Sequence, residues 1–218
     1  MEKQFWHERW QLNEIGFHQN EINTHLESCW QKLQIKAEAT VFVPLCGKSR
    51  DMLWLLGQGY KVIGIELSQI AVEEFFKEND LEAKVSSDGE FTCYKTEELT
   101  LLCGDFFDLT ASNLSSVTAV YDRASLIALP SEMRQKYTQH LNKILPKPTK
   151  ILLITLEYRQ HEMQGPPFSV AEQEVCELFG HRNQIECLAN LDVLKENPRF
   201  IKRGLTKMNE KAYWLIST

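Results

Sequence analysis

The sequence predicts an α/β fold: a seven-stranded, mostly parallel, doubly wound sheet preceded by an N-terminal helical extension. Three observations carry that expectation. Residues Thr40 to Glu66 run from a β-branched and apolar segment through a glycine turn at Gly47 and a leucine-rich helical segment to a second apolar run, Val62 to Ile65, which together make one βαβ unit. Three further apolar runs, Leu99 to Cys103, Val117 to Tyr121 and Lys150 to Glu157, alternate with helical patterns, as strands buried on both faces of a parallel sheet should. Two final runs, Gln184 to Leu194 and Glu210 to Ile216, are close enough in sequence to pair antiparallel.

The remaining elements follow in chain order. Phe5, Trp6 and Trp10 fall at helical spacing around Arg9, and Leu26, Trp30 and Leu33 mark a second helical segment, Glu21 to Gln34, so residues 1–39 form the extension. Ser68 is placed to cap a helix that ends near Asn79 and buries Ile70, Val72, Phe75 and Phe76. Residues 81–98 are polar around the turn Ser86-Ser87-Asp88-Gly89, with Phe91 to Lys95 as a return strand, and read as a hairpin insertion. Pro130-Ser131 opens a helix through Leu145 that Pro146 and Pro148 stop. A rigid loop at Gly165-Pro166-Pro167-Phe168 precedes a helix from Val170 to Phe179, and Asn197-Pro198-Arg199-Phe200 forms a loop between the last two strands. No repeat or linker interrupts the pattern, and one domain over 1–218 is expected.

Composition narrows the class of partner. The chain has 218 residues, 43% of them hydrophobic and 25% charged, close to the average of soluble globular domains. Its net charge of −6 contains no basic block, which argues against a nucleic-acid surface and for a small-molecule partner. The six cysteines, 29, 46, 93, 103, 176 and 187, include no C-x-x-C pair, so no metal site is expected and reduced thiols in the cytoplasm are. The N-terminus lacks an apolar core segment and no apolar stretch approaches the roughly 18 residues that span a membrane. A monomer is expected.

A parallel βαβ unit brings its first turn and the end of its second strand to one sheet edge, where open α/β folds bind ligands. Glu66 stands there, following Gly47 at close to the roughly 20-residue offset of nucleotide-binding units, where a carboxylate accepts hydrogen bonds from both hydroxyls of a ribose. The bland alternative is an acid merely solvated at a strand end. Gly47-Lys48-Ser49 lacks the upstream glycine of a phosphate loop, since Phe42 stands in its place, and a dinucleotide turn would carry three glycines where one is present. S-adenosylmethionine (SAM) has ribose and adenine without phosphate, and tolerates such a turn.

Other candidate residues lie at the same edge. Asp105, after the third strand, either accepts from an adenine amino group, with Phe106 packing on the ring, or only caps a helix start. Arg123, after the fourth strand, is a surface charge, a structural fork on a carboxylate or a ligand for an anion. Trp10, Phe17 and Gln19 staple the extension to the core, or close over the ligand as a lid whose aromatic faces suit a sulfonium cation; the two roles are compatible.

Phe5-Trp6-x-x-Arg9-Trp10, Phe17-His18-Gln19, Val43-Pro44-Leu45-Cys46-Gly47-Lys48-Ser49, Gly64-Ile65-Glu66-Leu67-Ser68, Asp122-Arg123-Ala124 and Gly165-Pro166-Pro167-Phe168 together resemble the thiopurine S-methyltransferase family in its bacterial form, over essentially the full chain. The resemblance implies the Rossmann-like class I methyltransferase fold. It implies cofactor contacts at Trp10, Leu45, Glu66 and Arg123, with Asp105 and Phe106 at the adenine, and a substrate-side role for Phe17 and Arg199. The implied reaction moves a methyl group from SAM to the sulfur of thiopurines or aromatic thiols, with selenium and tellurium oxyanions as further acceptors in some bacterial members. A soft, easily ionised thiol needs little help, so no catalytic base is named. The competing expectations are an NAD-dependent oxidoreductase, disfavoured by the missing glycines, and a non-catalytic SAM-binding protein.

Overall fold

A computed structural model describes residues 3–181 and 183–217. In chain order the elements are α1 (Lys3–Gln11), α2 (Thr24–Cys29) with a 3-10 turn Trp30–Leu33, β1 (Thr40–Val43), α3 (Asp51–Gly57), β2 (Lys61–Glu66) and α4 (Gln69–Glu78). The hairpin β3 (Lys84–Asp88) and β4 (Phe91–Lys95) precedes β5 (Leu99–Cys103), a 3-10 turn Phe106–Asp108, β6 (Val117–Arg123), α5 (Ser125–Ala128) and α6 (Ser131–Ile144). Last come β7 (Lys150–Glu157), a 3-10 turn Gln160–Glu162, α7 (Glu172–Phe179), β8 (Asn183–Asp192), α8 (Pro198–Lys202) and β9 (Asn209–Ser217).

All nine strands join one sheet in the order β3-β4-β5-β2-β1-β6-β7-β9-β8. The five from β5 to β7 are parallel, and β9 runs antiparallel between β7 and β8. Seven strands were expected and nine are present, because the 81–98 hairpin is not a separate flap. Its second strand pairs antiparallel with β5, Thr92 against Cys103 through Lys95 against Thr100, so backbone groups at that edge are satisfied while Phe91, Cys93 and Tyr94 are buried. The new outer strand, Lys84–Asp88, is exposed throughout.

Strand alternation divides the core into two layers. Val41 and Val43 face a cluster with Leu26, Trp30, Met52, Leu55, Val72 and Phe75, which places α2, α3 and α4 on one side. Phe42, Ile65, Val120 and Leu153 face Leu126, Tyr137, Leu141, Val175 and Phe179, which places α5, α6 and α7 on the other. A third small cluster, with Tyr158, Met163, Leu194, Phe200 and Met208, supports α8.

Local chemistry explains where elements start. Ser68 has extended backbone and its Oγ accepts from the Ala71 N–H, so α4 begins as expected. The expected Glu21 to Gln34 helix is shorter, because the Asn23 side chain accepts from the N–H groups of His25 and Leu26 and makes itself the cap. The helix expected from Val170 begins at Glu172, since the Val170 N–H is used by Leu156 O at 2.8 Å. Residues 198–202, expected as loop, form α8 with proline at the helix start, where its missing N–H costs nothing. Among the described residues no helix is long and apolar enough to cross a membrane. The six cysteines are unbridged.

Candidate active site

The turn after β1 is shaped by two residues in left-handed conformation, Leu45 (φ 45°) and Gly47 (φ 53°). A side chain is strained there, so Leu45 marks a place where the surrounding structure dictates the backbone. The turn lies tight on β2: Cys46 N–H donates to Ile65 O at 2.9 Å, and a Cβ on Gly64 would stand 2.9 Å from Cys46 Sγ and 2.6 Å from Leu101.

Glu66 ends β2 and is 7% exposed. Its Oε2 accepts from the Gly47 N–H and its Oε1 from the Ser68 N–H, both at 2.8 Å. Burial pushes its carboxyl up, and the N–H groups of Ser68, Gly47 and Leu67 pull it back toward the ionised form. Each carboxylate oxygen offers two acceptor positions, so one on each remains for a ligand donor after the two backbone bonds.

Lys48 does not face this site. Its Nζ reaches Glu74 at 2.8 Å and Glu78 at 2.7 Å on α4. Burial alone would lower its pKa, but those two carboxylates outweigh the desolvation and leave the ammonium above its ordinary value. The Gly-Lys-Ser sequence therefore anchors a turn to a helix and presents no lysine to a phosphate.

Trp10, at the end of α1, covers the turn from above: a Cβ on Gly47 would lie 3.4 Å from its ring. Phe17 meets Trp10 edge to face at 5.5 Å between centroids and Trp6 at 5.6 Å, and stays 39% exposed. The first part of the extension is thus an aromatic ceiling over Gly47 and the second, carrying Trp30, is core. Trp30 packs edge to face on Tyr60 and Tyr121.

At the end of β5, Asp105 caps the turn Phe106–Asp108, accepting from Phe107 N–H at 2.9 Å, and its Oδ2 lies 2.6 Å from Lys3 Nζ of α1. The Phe106 ring is 3% exposed and packs on Tyr137 (4.7 Å) and His140 (5.3 Å). It belongs to the core beneath the loop, while Phe107 is exposed.

On the fourth parallel strand the register extends further than expected, so Arg123 is the last strand residue, opposite Ile154. Ala124 follows at φ 69°, and Ser125 Oγ donates to Pro44 O at 3.1 Å, tying this turn to the one after β1. Arg123 Nη1 stands 3.6 Å from Asp51 Oδ2. Arg199 reaches in from α8, with Nη1 3.6 Å from the position a Cβ on Gly16 would take. Burial, then the charges of Arg203 and Arg123, lowers its pKa. His18, beside Phe17, is held below the usual histidine value by burial and then by Lys48, with Arg123 adding to the effect.

Of the residues expected from the sequence, Trp10, Leu45 and Glu66 thus gather around the Gly47 turn, with Phe17 against Trp10. Arg123 stands at the end of β6 against Asp51, and Arg199 approaches Gly16. Asp105 and Phe106 stand at the next strand end, with the acid already engaged by Lys3 and the ring buried. Sequence reasoning missed Asp51 and did not single out His18.

A family model described as thiopurine S-methyltransferase matches residues 1–217. A thiopurine S-methyltransferase of Nitrosospira multiformis is 52% identical over 217 residues, covering 100% of this chain and 99% of the relative. One from Pseudomonas fluorescens is 48% identical over 213 residues, covering 98% of each. Among solved structures, the Burkholderia thailandensis 1,6-didemethyltoxoflavin-N1-methyltransferase with bound 1,6-didemethyltoxoflavin and S-adenosylhomocysteine superposes with a TM-score of 0.68 at 12% identity, covering 99% of this chain and 87% of that one. A SAM-dependent methyltransferase from Anabaena variabilis gives 0.65 at 15% identity, covering 99% and 95%. These likenesses show the class I methyltransferase fold.

Proposed function

Because the chain belongs to the thiopurine S-methyltransferase family, we propose that it moves the methyl group of SAM to the sulfur of thiopurines or aromatic thiols. The observation that carries this reading is the Glu66 carboxylate, buried, fixed by two backbone N–H groups, and left with acceptor capacity at the end of β2. It suits a ribose. The single-glycine turn, where a Cβ on Gly47 would stand 3.4 Å from the Trp10 ring, suits a nucleoside without a diphosphate.

When bound, SAM would supply an activated sulfonium methyl carbon for in-line attack by a thiolate, the sulfonium C–S bond breaking with S-adenosylhomocysteine as leaving group and the thiol proton having gone to solvent. The chain's own residues have four tasks. Glu66 holds the sugar hydroxyls, and Leu45 lines the turn beside it. Asp105 and the Phe106 backbone receive the adenine, which requires Asp105 to exchange part of its ion pair with Lys3 for the amino group. Trp10 roofs the sulfonium, where an aromatic face attracts a cation by about 0.5–2 kcal/mol.

Arg123 and Arg199 favour the thiolate over the thiol, Arg123 from the cofactor side, and Phe17 stacks on the acceptor ring. Fixing both reactants in this way can contribute about 7–11 kcal/mol, so no side chain is asked to act as a base. The six unbridged cysteines support work in a reducing compartment, the cytoplasm.

The test is an acceptor screen with methyl-labelled SAM against 6-mercaptopurine, thiophenols, selenite and tellurite. Label should appear in the thioethers. Binding of S-adenosylhomocysteine with no transfer to any thiol would overturn the catalytic reading, and tight NADH binding in its place would overturn the choice of cofactor.

A further inference from the structure

Asp51 has been given no task in the reaction, yet it is a deeply buried acid in contact with a residue that has. It opens α3 and is 1% exposed. A buried carboxylate persists only with partners that replace its hydration, and Asp51 has three, one from the extension and two from β6. Its Oδ1 accepts from the Asn23 N–H at 2.9 Å, in the extension. Its Oδ2 accepts from the Tyr121 O–H at 2.9 Å, inside β6, and stands 3.6 Å from Arg123 Nη1.

The Arg123 distance is the informative one. At 3.6 Å the pair is electrostatic and lacks the parallel fork of a structural Arg-carboxylate bridge, so the guanidinium is drawn to one side without its donors being consumed. Arg199 and Lys48 add like charge nearby, and Lys48 is neutralised by its own acids on α4. Asp51 supplies the counter-charge for Arg123. The same turn of α3 also fastens the extension twice, through Asp51 and through Arg50, whose Nη1 donates to Asn20 O at 3.0 Å. Phe17 stands just before this fastened loop.

We propose that Asp51 is a positioning residue that aims Arg123 at the methyl acceptor. The inference rests on the acceptor-side role given to Arg123 above. It is tested with Asp51→Asn made both in the wild-type chain and in Arg123→Ala, measuring acceptor kcat and KM, S-adenosylhomocysteine affinity, melting temperature and amide exchange of residues 17–23. A shift in geometry of this kind should lower kcat/KM for the thiol about tenfold in the wild-type background and less than about twofold in Arg123→Ala, because residues acting through one another are not additive. Product affinity should change little, and exchange at Asn23 should quicken.

Equal losses in both backgrounds would overturn the proposal and leave Asp51 a stabiliser only. If Arg123→Ala alone left acceptor kinetics unchanged, the acceptor role of Arg123 would fail first and this inference with it, a result distinct from additivity. Should Asp51→Asn fail to fold, Tyr121→Phe, which removes one donor from the same carboxylate, goes through the same cycle. A loss of about threefold confined to the wild-type background supports the proposal, and an equal loss in both defeats it.

Discussion

Single carboxylates carry most of the chemistry. Glu66 holds the Gly47 and Ser68 N–H groups, and in the proposed reaction the same two oxygens would receive the sugar hydroxyls. Glu66→Gln turns one acceptor into a donor facing an N–H. Since hydrogen bonds to charged groups are worth about 1.5–3 kcal/mol each, its S-adenosylhomocysteine affinity should fall on the order of 10²-fold or more by calorimetry. An affinity within threefold of wild type would contradict the assignment.

Asp122, buried behind the site, accepts from the Tyr137 O–H at 2.6 Å, and burial lifts its pKa to about 6 against the pull of Tyr137 and Ser125. An acid whose folded pKa is raised binds more protons folded than unfolded, so stability declines as pH rises from about 4 to about 6. Asp122→Asn lacks that decline. Its stability relative to wild type in denaturant melts should climb across the window and level off above it, by an amount on the order of 3 kcal/mol; a flat difference would refute the assignment of the shift. Glu66 and Arg123 were legible because strand ends announce themselves in apolar runs. Asp51 was not: an acid opening a helix reads as a favourable charge at the dipole, and its burial is created by Asn23 and Tyr121, distant in sequence.

Elements differ in how much of their role was visible. The extension reads as two aromatic helical segments, and only packing separates them. Trp30 is fully buried between Tyr60 and Tyr121, whereas Trp10 leans on Phe17 and Gly47 at the ligand edge. Trp30→Ala should therefore cost about 3–5 kcal/mol of stability in denaturant melts. Trp10→Ala should cost less stability and more product affinity, and equal effects on both measures would remove the division between core and roof. The start of α7 was placed early for a similar reason: the bond from Val170 N–H to Leu156 O belongs to the fold and leaves no trace in periodicity. Phe106 shows the converse, a ring expected on a nucleobase that the core claims, with Tyr137 and His140 around it.

For the molecule as a whole, sheet order explains why the site is where it is. The chain moves outward from β1 to β2 and β5, then crosses back to β6 on the other side of β1, so α3 and α5 pack on opposite faces of the sheet and the carboxyl ends of β1 and β6 mark its switch point. Parallel order was readable from the alternation of apolar runs and helices. The hairpin at 81–98 was readable as well, with its return strand at Phe91 to Lys95; that it extends the main sheet was not, since Lys84 to Asp88 is polar and the pairing of β4 with β5 leaves no trace in periodicity.

The overall charge is −6, so under the proposed roles of Arg123 and Arg199 the attraction of an anionic thiolate would be local and open to screening. Raising ionic strength from about 0.05 to 0.5 M should raise the KM of an anionic acceptor several-fold and leave that of a neutral one nearly unchanged. Identical shifts for both acceptors would count against those roles.

The most direct measurement is a crystal structure of the chain with S-adenosylhomocysteine bound. The account predicts both ribose hydroxyls on the free acceptor positions of Glu66, the Gly47 turn beneath and the Trp10 ring above. A nucleoside seated elsewhere, with Glu66 holding only Gly47 and Ser68, would contradict it.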